Sequence, residues 1–289
     1  MGVDTIIQTI ANALVLGSVY AMVAVGLAIA FGVMQMANFS HGELFMAGSY
    51  VVFVLYTLLG LPFLLAVILA FPIVAALGLL FERLIFRPTR GNVLAGFMAS
   101  AGAGFILQVL VGQQWGVGLM RTVQTPFPGA ADIFGASISY QRLLIFPATV
   151  IMVTGLWYFL TRVKAGKALR ACAQDPEAAV LQGISLNKMT ALAMLLSGGF
   201  AGVGGALMAP VIPVTPYMGH AYAVTAFIIV IVGGMASIEG AVIAAFILGF
   251  IHTIVTTLYD SVTATMVGVL FMAVVLILKP TGLMGRVKV

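Results

Sequence analysis

The sequence is short of charged residues, and this shortage excludes a water-soluble protein. Asp, Glu, Lys and Arg together make up 7% of its 289 residues, whereas soluble domains carry about 25%. Hydrophobic residues make up 62%, which is more than one water-soluble core of this size could bury. Lipid must be the solvent of most of the surface, so we predict an all-α polytopic membrane protein that forms one domain over residues 1–289.

The sequence also lacks the residues of several other kinds of site. Cys172 is its one cysteine, so no internal disulfide and no CxxC motif can form. The phosphate-binding pattern G-x-x-x-x-G-K-[ST] does not occur, so the chain does not cradle ATP in that way. The N-terminus, MGVDTIIQTI, lacks the basic segment of a signal peptide, and we expect its helix to be retained. We expect neither a metal nor a cofactor.

Nine apolar runs approach or exceed the roughly 20 residues that a helix needs to cross the hydrocarbon core. These candidate spans are residues 6–34, 40–60, 62–82, 92–112, 140–161, 189–209, 221–235, 239–258 and 262–278. Three of the spans carry small residues at every fourth position, which predicts close helix packing in lipid. The small residues are Ala13, Gly17 and Ala21; Gly198 and Gly202; and Ala241, Ala245 and Gly249.

The basic residues predict which loops share a side of the membrane. Eleven of the thirteen Lys and Arg residues fall in three clusters, within 83–90, 162–188 and 279–288. Because short loops rich in Lys and Arg stay in the cytoplasm, the three clusters are predicted to lie there together. The loops 113–139 and 210–220 then lie outside, and nine crossings put the N-terminus outside as well. The net charge of +5 reflects this topology, and we expect no nucleic-acid partner.

Three interruptions break the apolar runs. In the first, residues 38–43, Ser40 and Glu43 have the spacing of a capping box that starts a new helix. The second is the stretch 210–216, whose three prolines forbid a continuous helix. The third is the glycine-containing stretch 233–240. Non-helical backbone at membrane depth is tolerated only where protein or a water-filled cavity covers it.

Discontinuous helices are where transporters usually bind their substrates. Glu43 and Glu239 fit this interpretation, because a carboxylate inside the membrane is costly unless it is satisfied or near water. Capping alone is the alternative explanation for Glu43, and a position at the membrane interface is the alternative for Glu239. We predict that the interruptions line a substrate path. Its candidate residues are Asn38, Ser40, His41, Glu43, Gly233, Gly234, Ser237 and Glu239.

The two halves of the chain share a pattern. In each half a helix rich in small residues precedes an interruption that contains a histidine: 11–34 precedes His41, and 189–209 precedes His220. On the predicted topology these two helices cross in opposite directions, so the pattern indicates an inverted repeat. His220 itself is expected to be a packing residue, as is His252.

The segment 162–188 combines basic residues with turn formers. Pro176 can take the first position of a short helix, which Asp175 can cap and Gly183 can end. A polar helix–turn element that is held at one membrane face by spans on both sides favours a docking role over a catalytic one. An ordinary basic loop that obeys the topology rule is the alternative.

Short motifs, in order from about residue 10 to residue 285, resemble the signature of the branched-chain amino acid ABC transporter permease family. Each motif is short, and the joint pattern carries the resemblance. The main ones are Asn38-Phe39-Ser40-His41-Gly42-Glu43, Arg87-Pro88 with Arg90-Gly91, Gly166-Lys167-Ala168-Leu169-Arg170-Ala171, Gln174-Asp175 with Glu177-Ala178-Ala179 and Gly183-Ile184, Ser197-Gly198 with Ala201-Gly202, Val232-Gly233-Gly234 with Ser237-Ile238, and Pro280 with Gly282-Leu283.

The resemblance implies a non-enzymatic permease that is one of two membrane subunits of an ATP-driven importer in the bacterial inner membrane. Two cytoplasmic ATPases would supply the energy, a second permease (a copy or a paralogue) would complete the passage, and a periplasmic binding protein would deliver the substrate. Segment 166–184 would contain the coupling helix that docks on an ATPase. The implied coupling residues are Arg170, Asp175, Glu177, Ala178, Ala179 and Gly183.

The sequence departs from the family pattern at two positions. Gln35 stands where many members carry a basic residue, and Glu239 stands where the family often has proline. Glu239 adds a negative charge near the predicted path, so other neutral amino acids, urea or short amides, and aromatic acids stay open as substrates beside branched-chain amino acids. Two other classes are a stand-alone ion-driven carrier and an intramembrane hydrolase built on Ser40 and His252, which the spacing does not support.

Overall fold

The computed structural model describes residues 3–133 and 135–285. Arg286 and Lys288, which belong to the third basic cluster, lie outside the described residues. The elements in chain order are α1 (Val3–Met34), α2 (His41–Val52, extended by a π-helical turn Phe53–Leu58), α3 (Phe63–Phe81, extended by a π-helical turn Glu82–Phe86), α4 (Val93–Trp115), β1 (Ala130–Ile133), β2 (Ala136–Ser139), α5 (Tyr140–Arg162), α6 (Lys164–Gln174), α7 (Pro176–Leu181), α8 (Leu186–Met208), α9 (Gly219–Gly233), α10 (Ile238–Leu258) and α11 (Ser261–Leu278).

The described helices confirm the predicted fold class. Eight of them, with the π-helical extensions of α2 and α3 included, are long and apolar enough to cross a membrane. A further apolar helix, α9, has 15 residues, which is about 22 Å and shorter than the hydrocarbon core. Each of the nine predicted spans corresponds to one of these helices. The antiparallel hairpin β1–β2 lies in the loop that precedes α5.

Contacts between loops at one end of the bundle agree with the predicted cytoplasmic side. Arg90 donates hydrogen bonds to Thr190 Oγ1, at 2.9 Å, and to Asn187 Oδ1. These bonds join the basic cluster at 83–90 to the end of the segment 162–188. The two clusters therefore lie on the same side of the bundle, as the distribution of basic residues predicts.

The opposite end joins the two predicted outer loops. Backbone hydrogen bonds run in both directions between Arg121 and Val214, at 2.9 and 2.8 Å. Arg121 belongs to the loop 113–139 and Val214 to the loop 210–220. The alternation of the spans is consistent with both sets of loop contacts.

Glycines bring the spans into backbone contact along the predicted small-residue faces. Gly249 of α10 packs on the backbone of Gly17 in α1, where an added Cβ would lie 2.6 Å from the Gly17 Cα. Gly17 in turn lies against Phe246 of the same partner helix. On α8, an added Cβ at Gly198 would lie 2.6 Å from the carbonyl oxygen of Val74 in α3. No methyl group fits these seams, so the predicted close packing is confirmed.

After α1 the chain reverses inside the bundle. Gln35 adopts a positive φ of 53°, and the chain runs back along α1 without helix until α2 begins at His41. His41 Nε2 lies 2.8 Å from the carbonyl oxygen of Val23. Val23 is eleven residues, or about 16 Å along the helix axis, before the end of α1 at Met34. The short helix α2 therefore begins near the middle of the bundle.

A second short helix begins at the same depth. The break at 210–216 is present, because α8 ends before it and α9 begins after it at Gly219. Gly219 packs on the backbone of Gly42, and a Cβ on either glycine would overlap with the other chain. The first turns of α2 and α9 thus meet in the bundle interior, and we call this meeting point the half-helix junction.

The two long helices that precede the half-helices run in opposite directions. Gly26 of α1 lies against Ser197 of α8, whereas Val23 lies against Gly204, so the two helices are antiparallel. Each half of the chain therefore contains a long helix, a break and a helix that starts at mid-depth. This is the arrangement that an inverted repeat requires, and it supports that prediction.

Candidate functional site at the half-helix junction

The turn before α2 is built around Asn38. Asn38 Oδ1 accepts hydrogen bonds from the backbone N–H of Ser40, at 3.1 Å, and from its hydroxyl, at 2.7 Å. The predicted capping box is therefore wrong, since the Ser40 side chain makes no capping hydrogen bond to α2. Both residues are fully buried, and without water the Asn38 amide oxygen competes successfully for the Ser40 hydroxyl.

His41 fastens the start of α2 to two long helices. Its ring is fully buried, with Nε2 at 2.8 Å from the Val23 carbonyl oxygen and Nδ1 at 3.3 Å from Ser197 Oγ. A carbonyl oxygen can only accept, so Nε2 carries the proton and Nδ1 accepts a hydrogen bond from the Ser197 hydroxyl. Both ring nitrogens are thus engaged in holding the half-helix in place.

Glu43 joins α2 to α4. Its side chain is nearly buried, and Oε1 accepts a 2.7 Å hydrogen bond from Gln108 Nε2. Gly104 of α4 faces both Glu43 and Ser40, which leaves room for the carboxylate. Two buried polar atoms, Glu43 Oε2 and Asn38 Nδ2, have no hydrogen-bond partner among the described residues. Such atoms are costly to leave unpaired, and these two both lie in the turn 38–43.

An aromatic cluster lies on the cytoplasmic side of Glu43. The Phe39 ring packs edge-to-face on Phe97 of α4, with centroids 4.2 Å apart, and stacks on Phe227 of α9 at 4.8 Å. The backbone N–H of Phe39 donates to Ser100 Oγ of α4, at 3.2 Å. The turn 38–43 is therefore in contact with α1, α4, α8 and α9 together.

The geometry does not support a hydrolase. The Ser40 hydroxyl donates to Asn38, while His252 Nε2 lies 3.4 Å from Thr265 Oγ1. The two residues that such an enzyme would need are thus engaged with different partners. His220, which begins the second half-helix with Gly219, is exposed.

The second group of predicted path residues lies nearer the cytoplasmic end. Ala236, beside Ser237, packs on Gly32, which is nine residues or about 13 Å further along α1 than Val23. A cavity of about 700 Å³ opens there between α1, α5, α6 and the start of α10. Ser237, Glu239 and Arg170 line it together with apolar side chains of α1 and α5.

Gly233 and Gly234 serve close packing and do not line this cavity. An added Cβ at Gly233 would lie 2.5 Å from the carbonyl carbon of Gly240 in α10. Gly234 has a φ of 105°, and an added Cβ there would lie 2.5 Å from the Gly285 nitrogen. The glycine pair therefore allows the turn between α9 and α10 to pack beneath the C-terminal stretch. Gly234 stays bonded to Ser237, whose backbone N–H donates to the Gly234 carbonyl oxygen at 2.9 Å, but of the four residues only Ser237 and Glu239 line the cavity.

The short helix α7 forms as predicted. Asp175 Oδ1 accepts hydrogen bonds from the backbone N–H groups of Glu177 and Ala178, both at 3.0 Å, and Pro176 occupies the first turn. Gly183 adopts a φ of 79° just after the helix ends. Each of the three predicted helix signals is confirmed.

The surface of α7 carries an apolar tip that sequence reasoning missed. Leu181 is 86% exposed and Val180 is 50% exposed, although both lie in the most polar segment of the chain. Glu177 and Ala178 are exposed as well. Ala179 is 4% exposed, so its side chain anchors the helix from the inside. Leu181 and Val180 thus form an exposed apolar patch at the end of α7.

Comparison with known proteins decides the family. A family model described as "Branched-chain amino acid transport system / permease component" matches residues 9–278. The chain belongs to this family. The permease is also similar, with 32% identity over 98% of this chain and 97% of the relative, to the "High-affinity branched-chain amino acid transport system permease protein BraD" of Pseudomonas aeruginosa.

Two other comparisons also cover more than nine tenths of the permease. The protein described as "High-affinity branched-chain amino acid transport system permease protein LivH" of Escherichia coli is 31% identical over 98% of this chain and 96% of that one. Among solved structures, a chain of "PsaBC from Streptococcus pneumoniae in complex with Fab" is similar with a TM-score of 0.52 at 14% identity, over 93% of this chain and 91% of that chain. This last likeness concerns the fold alone.

Sequence reasoning missed several polar residues that contact the junction of this permease. In the sequence each of them is a polar side chain inside an apolar run, and such a pattern does not predict which neighbouring helix the side chain contacts. They are Ser100, Gln108 and Ser197.

Proposed function

We propose that this permease is one of two membrane subunits of an ATP-driven importer that carries branched-chain or related small neutral amino acids into the cell. The observation that carries the proposal is the similarity, over nearly the whole chain, to relatives described as branched-chain amino acid permeases. The sequence has no phosphate-binding loop of its own, so separate cytoplasmic ATPases hydrolyse ATP. A second permease and a periplasmic binding protein complete the assembly.

The segment 166–184 is the proposed coupling element. The apolar tip of α7, Leu181 with Val180, stands out from the bundle on the cytoplasmic side. A groove on an ATPase can bury that tip, while Asp175 and Gly183 fix the two ends of the helix that presents it. Glu177 and Ala178 lie on the exposed surface and contact the partner, whereas Ala179 seats the helix on the permease.

The half-helix junction is the proposed gate of the substrate path. Amino acids cross as zwitterions, so their ammonium group needs a carboxylate or polar atoms wherever water is excluded. Glu43 Oε2 and Asn38 Nδ2 supply unpartnered polar atoms at mid-depth. Gln108 of α4 closes over Glu43, so a movement of α4 opens the site and its return closes it. Ser40 and His41 hold the turn in shape.

The cytoplasmic cavity is the proposed exit from the path. Its walls carry the carboxylate of Glu239, the guanidinium of Arg170 and the hydroxyl of Ser237 beside apolar surface from α1. This combination matches the ammonium, the carboxylate and the apolar side chain of a neutral amino acid. Arg170, which the family resemblance places among the coupling residues, thereby contributes to the exit as well. Gly233 and Gly234 do not line the exit; they allow the turn between α9 and α10 to pack closely beside it.

Replacing Glu43 with Gln tests the gate. The change keeps the size of the side chain and removes its ionisable carboxyl group, so we expect ATP-driven uptake of labelled leucine to fall about 10- to 100-fold, as for loss of a hydrogen bond to a charged group. Gln108→Leu is expected to act in the same direction, because it removes the group that covers Glu43. ATPase subunits should co-purify normally with both variants.

Gln114→Leu is the matched control for Gln108→Leu, because Gln114 is an exposed glutamine near the end of α4, the helix that also carries Gln108. If uptake by Glu43→Gln stays within twofold of the parent, Glu43 is not part of the substrate path. In the parent assembly, competition of leucine uptake by excess valine, urea or phenylalanine distinguishes the substrate classes. Competition by urea and not by valine would contradict an amino acid substrate.

A further inference from the structure

At the cytoplasmic end of α3, the buried carboxylate of Glu82 lies close to two arginines, Arg87 and Arg90. Glu82 is fully buried and begins the π-helical turn Glu82–Phe86. Arg87 donates to it twice, from Nε at 3.2 Å and from Nη2 at 2.9 Å, which is a bidentate pair. The hydroxyl of Thr190 in α8 donates to the same carboxylate at 2.9 Å.

Arg90 connects this cluster to the start of α8 through hydrogen bonds. Arg90 Nη2 lies 3.8 Å from Glu82 Oε1 and donates to Thr190 Oγ1 at 2.9 Å. Arg90 Nη1 donates to Asn187 Oδ1. Asn187 is the second residue of α8, which begins five residues after the last residue of α7. The turn between α3 and α4 is thus bonded to the helix that directly follows the coupling element.

The same turn leads into α4. Asn92 caps α4, because its Oδ1 accepts a 3.0 Å hydrogen bond from the Ala95 N–H. Along this helix, Ser100 receives the hydrogen bond from Phe39, and Gln108 donates to Glu43. Gln108 lies about 22 Å from the start of α4. A continuous helix therefore connects the cluster around Glu82 to the half-helix junction.

We propose that the cluster of Glu82, Arg87, Arg90, Asn187 and Thr190 is the joint through which movement of α7 and α8 reaches α4 and the gate at Glu43. The proposal rests on the proposed function, because it assigns a route for the force that the ATPases supply. The carboxylate of Glu82 is buried while its arginine partners reach the surface, and fixing one arrangement or switching between two is a better-attested use of such a pair than net stability. A π-helical turn is also common at functional positions.

A small cavity leaves room for such movement. It has a volume of about 160 Å³ and is lined by Arg90 and Thr190 of the joint, by Pro176 of α7 and by Gln35 at the reversal after α1. The coupling helix, the joint and the reversal that leads to the 38–43 turn therefore border one space. α7 can therefore shift into this cavity without displacing the lipid-facing spans.

The test uses the complete assembly in proteoliposomes, with its ATPases, second permease and binding protein. In Arg90→Met and in Asn187→Ala, we expect the ATPases to co-purify and to hydrolyse ATP while leucine uptake falls about tenfold, so that the ATP consumed per leucine rises tenfold. Arg83→Met is the matched control, because Arg83 is an exposed arginine on the π-helical turn that begins at Glu82. The ATP consumed per leucine in this variant should equal that of the parent.

A second measurement follows α4 directly. Phe105 is 66% exposed on α4, so Phe105→Cys in a Cys172→Ala background can carry a fluorescent probe. ATP is expected to change the probe emission in the parent and in Arg83→Met, and to leave it unchanged in Arg90→Met. This readout also separates a joint from a merely stabilising cluster, which would lower uptake and hydrolysis in proportion and leave the ATP-driven change intact.

Three outcomes overturn the joint: an unchanged ratio of ATP to leucine in Arg90→Met, a proportional loss of both activities, or an ATP-driven probe signal that survives the substitution. Each of them presupposes ATP-driven leucine uptake by the parent assembly. Absence of that uptake in the parent contradicts the proposed function itself, so the two failures are distinguishable.

Discussion

Replacement of Gly205 by alanine is expected to remove most of the folded permease from the membrane. An added Cβ would overlap with the carbonyl oxygen of Phe45 and would lie 3.0 Å from Ser49 Oγ. The Ser49 hydroxyl donates a 2.9 Å hydrogen bond to the Gly205 carbonyl oxygen. This bond holds α2 against α8 at the same place where the added methyl group would push the two helices apart. Overpacking of this kind costs about 1–3 kcal/mol, and more where backbone is the obstacle. Size-exclusion chromatography of detergent-solubilised protein measures the loss of the monodisperse peak.

Gly102→Ala is the matched control for this prediction. Gly102 lies in the spanning helix α4, and no neighbouring atom of the described residues stands within 4 Å of the position that its Cβ would take. The yield of this variant should equal or exceed that of the parent, since alanine is the better helix former. Recovery of Gly205→Ala at the yield of Gly102→Ala, with full uptake, would contradict close packing of α2 on α8 through backbone contact at Gly205.

Replacement of Leu181 by aspartate is expected to detach the ATPases from an otherwise folded permease. The side chain is 86% exposed, so the change costs the isolated permease little stability. In the assembly a carboxylate would replace a buried apolar contact, and loss of a central contact of this kind costs about 2 kcal/mol or more, roughly 30-fold in affinity. Co-purification of the ATPases measures the binding, and uptake of leucine measures the consequence.

Leu181→Met separates the apolar contact from the identity of the residue. Methionine keeps a similar volume and remains apolar, so this variant should retain both ATPase binding and uptake. Full ATPase recovery with Leu181→Asp would show that the tip of α7 is not the docking surface. Loss of binding in both variants would mean that the shape of leucine, and not its apolar character, decides the contact.

Much of the fold follows from local rules, which explains why the sequence predicts it. Span positions depend on apolar length, and the cap of α7 depends on Asp175 and Pro176, which are adjacent. The packing faces of α1, α8 and α10 depend on small residues four positions apart. Each of these signals is contained within one helix, and the structure confirms each one.

Contacts between distant helices could not be predicted in the same way. The spacing of Ser40 and Glu43 predicts a capping box, yet Asn38 takes the Ser40 hydroxyl and Gln108, 65 residues further on, takes the carboxylate of Glu43. Gly233 and Gly234 stand beside Ser237 in the sequence, but they pack against α10 and the C-terminal stretch while Ser237 faces the cytoplasmic cavity. Only the three-dimensional arrangement separates packing residues from residues that face a cavity.

The central claim is that this chain contains no energy source and that ATPases bound at 166–184 drive its gate. The most direct measurement compares liposomes that contain the purified permease alone with liposomes that contain the complete assembly. We predict that labelled leucine accumulates only in the second preparation, and only when ATP is present on the side of α7. Accumulation by the permease alone, without ATP or any partner, would contradict the claim.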